Sequence, residues 1–206
     1  MTNHADAQSE TAEAETTACP GEAEGRSLDR RHLLRAGLGL ATAAALMAPG
    51  ESEAALRAPP RQLTLVNLHT GERLRAEYWA KGRYLRDGMR EINRVLRDHR
   101  TGAVHAIDPK LLDLVHALGR RIGNRGPMEI VSAYRSPESN ALLHEADSSG
   151  VAQNSYHMQG RAIDLRVPGL SIRNLHRAAL SLRAGGVGYY PDSNFVHVDV
   201  GPLRHW

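Results

Sequence analysis

Two kinds of residue are scarce in this sequence of 206 residues. Cysteine occurs once, at Cys19, in a segment that we predict to be removed, so we expect the mature chain to hold no disulfide. Aromatic residues make up 4% of the chain, which disfavours a surface that binds sugars or single-stranded nucleic acid by stacking. Because the mature chain would contain no thiol, we expect the ligands of any metal site to be histidine and carboxylate side chains.

The apolar run near the N-terminus is an alternative candidate for a membrane anchor, but it is too short to span a bilayer comfortably. The run 36–48 is only mildly hydrophobic and follows the arginine pair Arg30-Arg31, a combination typical of twin-arginine export signals. The triplet Ser52-Glu-Ala54 predicts a cleavage site and a mature start near Ala55. We therefore expect a periplasmic protein with no membrane span once the signal is removed.

The domain organisation follows from this leader. We predict a disordered leader with its signal peptide at 1–54, a linker at 55–60 and one folded domain at 61–206. No internal repeat is visible, and we expect a monomer.

Acidic residues are outnumbered once the leader is set aside. From Ala55 onward the chain has 22 Lys and Arg against 14 Asp and Glu, a formal charge of +8 compared with +3 for the whole chain. Such a protein suits an anionic partner such as peptidoglycan, lipid head groups or nucleic acid, although general solubility explains the excess equally well. Nucleic acid is the weakest of these partners, because no basic patch is interleaved with aromatic residues.

Hydrophobic periodicity predicts an α+β fold, with a small antiparallel sheet flanked by helices in a single domain. The first two strands form a hairpin. Strands are predicted at 62–68, 73–79, 128–134, 161–167, 187–190 and 195–200, and helices at about 83–99, 109–122, 137–146 and 172–182.

Two stretches carry groups that bind metals. In the segment 155–164, His157 lies on the loop that enters a strand and Asp164 lies on one face of that strand. In the segment 195–201, His197 and Asp199 share one face of the last strand. Either histidine alone is better explained by structural hydrogen bonds, but together with a carboxylate they favour a candidate zinc site.

Two further residues have a local interpretation. Gly160 would let the backbone pass close to a metal or substrate. Arg135, at the end of the strand 128–134, could face an oxyanion or a substrate carboxylate, and a surface ion pair explains it equally well.

These motifs resemble the D-alanyl-D-alanine peptidase-like zinc metallopeptidases, and within them the murein endopeptidase K subfamily. The resemblance is carried by Ser-x-His-x-x-Gly-x-Ala-x-Asp, Ser-Ala-Tyr-Arg-Ser at 132–136 and Phe-Val-His-Val-Asp-x-Gly at the last strand. It extends over nearly all of the mature chain, including 63–72, 183–191 and the terminal Gly-Pro-x-Arg-His-Trp. It implies the hedgehog-like fold of that superfamily.

The resemblance also implies a function. It implies zinc held by His157, Asp164 and His197, with Arg135 stabilising the oxyanion, in a periplasmic endopeptidase that cleaves peptidoglycan cross-links. The bond would join two meso-diaminopimelate residues, or D-alanine and diaminopimelate. The alternatives are a D-alanyl-D-alanine carboxypeptidase and a non-catalytic peptidoglycan-binding module with a structural zinc.

One position departs from the pattern of the superfamily. A Glu or His commonly precedes the last ligand by three residues and acts as the base, whereas this chain has Asn194 there. Because an amide cannot take a proton at neutral pH, we consider Asp199 and His205 as candidate catalytic bases. Asp199 could instead orient the ligand His197.

Overall fold

The computed structural model describes residues 56–146 and 152–206, which belong to the compact unit Pro49–Trp206. The predicted leader, with Cys19, the arginine pair and the cleavage site, lies outside the described residues. Within the described residues, no helix combines the length and the apolar character needed to cross a membrane.

Helices and strands mix along the chain, which confirms the α+β class. The strands are β1 Arg61–Asn67, β2 Arg73–Ala80, β3 Arg83–Tyr84, β4 Met128–Ser132, β5 Ala162–Arg166, β6 Gly186–Tyr190, β7 Phe195–Asp199 and β8 Arg204–His205. The helices are α1 Arg86–Val95, α2 Pro109–Arg121, α3 Pro137–Ala146 and α4 Ile172–Leu182, and a 3-10 turn covers Tyr156–Gln159.

All eight strands form one sheet in the order β3-β2-β1-β4-β5-β7-β6-β8. The sheet is larger than the small antiparallel sheet expected, and two of its pairings, β1 with β4 and β6 with β8, are parallel. The first parallel pair arises because α1 and α2 carry the chain back across the sheet before β4 begins. The strands that carry the predicted ligands, β5 and β7, are antiparallel neighbours in its interior.

The core lies between the sheet and the apolar faces of the helices. Leu111 and Leu118 of α2 pack with Ile163 and Val196, and each is at most 1% exposed. Burying one such side chain contributes about 1.5–3 kcal/mol. The start of α2 follows the sequence pattern: the Asp108 side chain accepts a hydrogen bond from the amide of Lys110 at 2.9 Å, and a proline follows at the first helical position.

Two elements differ from the sequence-based expectation. The helix expected from residue 83 begins at Arg86, because Lys81 and Gly82 have positive φ and form a tight turn that pairs β3 with β2. The two-residue strand β8 was not expected, since it is defined only by its pairing with β6.

Candidate metal centre

Strand register brings the first two groups together. Asp164 of β5 lies directly opposite His197 of β7, so their side chains emerge on the same face of the sheet. His157 is added by the 3-10 turn, whose first amide groups are capped by the Ser155 side chain. All three side chains are buried, with at most 9% of any residue exposed.

Two of the three distances between the donor atoms match those around a small tetrahedral ion, and the third is shorter. His157 Nε2 lies 3.3 Å from His197 Nδ1 and 3.3 Å from Asp164 Oδ2, and His197 Nδ1 lies 2.8 Å from Asp164 Oδ1. Donor atoms bound about 2.0–2.1 Å from a tetrahedral ion are about 3.3–3.4 Å apart. The three residues can therefore hold a metal with little rearrangement.

The outer nitrogen of each imidazole is held by an acceptor. His157 Nδ1 donates to the carbonyl of Ala133 at 2.6 Å, and His197 Nε2 donates to Asp199 Oδ2 at 3.1 Å. A carbonyl oxygen can only accept, so the proton of neutral His157 lies on Nδ1 and the lone pair of Nε2 faces the cluster. When a metal displaces the proton shared between Nδ1 and Asp164, the Asp199 carboxylate favours the tautomer of His197 that keeps its proton on Nε2 and presents Nδ1 to the ion.

Asp199 is fully buried behind His197, and both of its carboxylate oxygens accept hydrogen bonds. Its Oδ1 accepts hydrogen bonds from the amides of Gly201 at 2.7 Å and Gly186 at 3.2 Å. Arg204 reaches both oxygens, with its Nη2 2.6 Å from Oδ2 and its Nη1 3.2 Å from Oδ1. These contacts fix the carboxylate at the rear of the imidazole, away from the cavity.

The charges of this cluster are strongly coupled. Burial opposes ionisation of Asp164, but the two neighbouring imidazoles outweigh it and hold the pKa of this carboxyl well below its usual range. Burial likewise lowers the pKa of His197, but hydrogen bonds to Asp164 and Asp199 raise it to about 9. The cluster thus places a carboxylate between two rings, an arrangement that attracts a cation.

The cluster opens onto a cavity of about 800 Å³ that also contains Arg135. The amide of Arg135 donates to the carbonyl of His157 at 3.2 Å, which ties the end of β4 to the turn that carries a ligand. Its Nη1 donates to Asn140 Oδ1 at 3.3 Å, and its buried Nε has no hydrogen-bond partner within residues 56–146 and 152–206. The guanidinium therefore retains unused donors beside the cluster.

The structure does not bring Asn194 or His205 to the cavity lining. Asn194 lies in an exposed turn with φ of 56°, a conformation that asparagine tolerates better than most residues. His205 is exposed in β8, and its ring affects the pKa of His176 on α4 rather than the metal cluster. Asp199 is also absent from the lining, because His197 covers it.

Gly160 allows a close backbone contact inside the protein. It ends the 3-10 turn in the left-handed region, with φ of 64°, and a Cβ there would run into the backbone carbonyl of Ala106. Its own carbonyl accepts from the amide of Asp108 at 2.9 Å. The glycine thus lets the turn pack against the loop before α2.

Sequence reasoning missed the partners that support the ligands. Arg204 and Trp206 lie in the terminal segment, in which only His205 was assigned a role from the sequence. The ring of Trp206 lies 5.2 Å from that of His197, and its Nε1 donates to the hydroxyl of Tyr190 at 2.7 Å. The only signal was the sequence of residues 201–206 itself, because β8 forms through long-range pairing.

Fold and cluster together define a peptidase whose sheet carries a possible His-Asp-His metal site. The chain belongs to the family described as peptidoglycan L,D-endopeptidase MepK, whose model matches residues 55–206. It is 46% identical over 179 residues to the peptidoglycan L,D-endopeptidase MepK of Escherichia coli K12, covering 86% of this chain and 97% of that protein. The Shigella flexneri protein matches equally, and a probable peptidoglycan L,D-endopeptidase MepK of Haemophilus influenzae is 43% identical over 148 residues, 71% of this chain and 79% of that protein.

Proposed function

We propose that this protein is a zinc-dependent peptidoglycan endopeptidase. Its substrate would be a peptide cross-link between two meso-diaminopimelate residues, or between D-alanine and diaminopimelate. The observation that carries the proposal is the set of inter-ligand distances in the cluster, two of which are 3.3 Å as tetrahedral zinc requires. Membership of a family of peptidoglycan L,D-endopeptidases supports the substrate class.

In this proposal His157, Asp164 and His197 hold the metal. Zinc in such a site supplies Lewis-acid chemistry, by polarising a carbonyl and lowering the pKa of water to about 7. The protein keeps the two imidazoles in the required tautomers through the Ala133 carbonyl and the Asp199 carboxylate.

Arg135 is proposed to bind the oxyanion that develops on the carbonyl oxygen of the scissile bond. Its position beside the cluster, with a buried Nε that has no partner, supports this role.

Asp199 is proposed as a positioning residue rather than the base. Its hydrogen bonds orient His197, anchor the terminal segment and hold the start of β6, and its burial separates it from a substrate in the cavity. His205 is proposed to have no part in the chemistry, because its exposed side chain does not line the cavity.

We further propose that the protein acts in the periplasm as a monomer after twin-arginine export. The arginine pair at 30–31 and the mildly apolar run 36–48 support the export route. Substituting both arginines by lysine and following the protein in periplasmic fractions tests it.

Muropeptide analysis tests the hydrolytic proposal. Purified protein loaded with zinc is expected to convert cross-linked dimers of either type into monomers, and a chelator is expected to stop the reaction. His197→Ala should abolish conversion, whereas His116→Ala, which alters a histidine outside the cavity, should preserve it. Failure of the metallated protein to cleave either dimer, even if it binds sacculi, would overturn the proposal, and loss of one alanine from monomers would indicate a carboxypeptidase.

A further inference from the structure

The cavity beside the metal cluster is lined by two arginines that form no ion pair with a carboxylate among the described residues. Four charged side chains other than histidine line it: Arg100, Arg135, Arg204 and Asp164. Arg204 is paired with Asp199, and Asp164 is held between the two imidazoles. Arg100 and Arg135 therefore remain as two cations with no carboxylate bound to them among the described residues.

Arg135 is held by a neutral group. Its partner, Asn140, donates both amide hydrogens to the carbonyls of Ala152 and Gln153, which leaves its Oδ1 to accept from Arg135. The guanidinium is thus oriented without losing its charge. Burial lowers the pKa of Arg135, the nearby Asp164 raises it, Arg100 lowers it and Asp98 raises it. Arg135 therefore lies within range of both the metal cluster and the second arginine.

A buried carboxylate fixes the relative position of the two arginines. Asp98 is 1% exposed, and its side chain accepts from the amide of Arg100 at 2.9 Å and from the amide of Ser136 at 2.8 Å. The loop after α1 is thereby joined to the residue that follows Arg135. Because Asp98 uses its oxygens on backbone amides, it orders both loops without pairing with either guanidinium.

The cavity wall next to Arg100 adds no negative charge. The rings of His69 and His99 stack with centroids 3.7 Å apart and line the same cavity. Burial, together with His69 and Arg100, lowers the pKa of His99, and the adjacent Asp98 opposes this effect. Arg100 itself is solvent-exposed, so a ligand that enters the cavity can reach its guanidinium.

The proposed substrate offers a matching group. In either cross-link the nitrogen of the scissile bond is attached to a carbon of diaminopimelate that also bears a free carboxylate. We propose that Arg100 binds this carboxylate on the leaving-group side of the scissile bond, which makes it a specificity-determining residue. The inference rests on the proposed function, because it presupposes that a cross-linked peptide lies across the cluster.

The test uses two synthetic cross-linked peptides that differ only in this group, a carboxylate in one and a carboxamide in the other. Charge-assisted hydrogen bonds predict that the zinc-loaded full chain prefers the carboxylate by about tenfold to a hundredfold in kcat/KM. Arg100→Gln should remove most of this preference, mainly through a higher KM for the carboxylate, and leave the carboxamide within about threefold of wild type. Arg90→Gln, which alters an exposed arginine on α1, is the matched control and should keep the preference.

The outcomes separate this inference from the proposed function. If wild type cleaves both peptides without preference, or if Arg100→Gln keeps the preference, the carboxylate subsite is wrong while the endopeptidase proposal stands. If wild type cleaves neither, the endopeptidase proposal fails, and calorimetric titration with the same two peptides decides the inference. A binding preference that Arg100→Gln abolishes would support the subsite, and equal binding would overturn it.

Discussion

Replacing Asp199 by asparagine isolates the effect of the group behind the ligand His197. The carboxylate has two acceptor oxygens, which serve the amides of Gly186 and Gly201 on one side and His197 Nε2 on the other, with Arg204 reaching both. An amide has only one acceptor oxygen. If that oxygen keeps accepting from the backbone amides, the new NH2 group of the asparagine faces two other donors, Arg204 and His197 Nε2. Neutral His197 must then carry its proton on Nδ1.

A proton on Nδ1 occupies the position needed for the metal. Loss of a hydrogen bond that orients a ligand typically lowers metal affinity by about tenfold to a hundredfold, and we expect Asp199→Asn to fall in this range for zinc. The buried donors left without an acceptor should also lower the free energy of unfolding by about 1–3 kcal/mol. Competition with a chromophoric chelator measures the first effect, and urea unfolding of the metal-free protein measures the second.

Asp113 offers a matched control for this experiment. It also accepts several hydrogen bonds, from Arg61, Tyr78 and Tyr84, but it lies outside the metal cavity. Asp113→Asn should therefore reduce stability while leaving zinc affinity within about twofold of wild type. Zinc affinity of Asp199→Asn equal to that of the control would refute the reasoning about the tautomer.

Four other substitutions test separate parts of the structure. Arg135→Gln should lower kcat about a hundredfold with zinc affinity unchanged, as kinetics and metal titration would report, and a large loss of zinc would contradict the oxyanion role. Gly160→Ala should lower the Tm more than Gly71→Ala, because both have positive φ but only the first places a Cβ against a backbone carbonyl. Hydrogen bonds hold the pKa of Asp98 below its usual value despite burial, so its stabilising charge is present near neutral pH and is lost as the pH falls below about 4. Asp98→Asn should accordingly cost about 1–3 kcal/mol in urea unfolding near pH 7 and progressively less in acid. His205→Ala should leave kcat/KM within about twofold, and a hundredfold loss would restore this residue as a candidate base.

Local patterns were sufficient to predict the elements that carry the cluster. The alternation of polar and apolar residues along β5 and β7 predicts that the side chains of Asp164 and His197 lie on the polar faces of their strands. The observed register places these two residues opposite each other. The helices predicted at 109–122 and 172–182 begin where expected, and the residues that precede them, Asp108 and Ser171, accept hydrogen bonds from the first turn of α2 and α4.

Long-range contacts could not be predicted in the same way. Asp98 was placed in the last turn of a helix, where it looks like an ordinary exposed residue, yet it is buried by partners up to 38 positions away. The strand β8 and the contact between Arg204 and Asp199 likewise depend on how the terminal segment returns to β6.

The interior position of β5 and β7 has a consequence for the metal-free protein. Each of these strands is hydrogen-bonded on both sides, β5 by β4 and β7, and β7 by β5 and β6. Amide hydrogens in such strands exchange with solvent only through large openings of a protein, whereas those at sheet edges exchange through local fraying. The backbone under Asp164 and His197 should therefore be among the slowest to exchange even without a metal, in contrast to small zinc-dependent domains that unfold when the ion leaves.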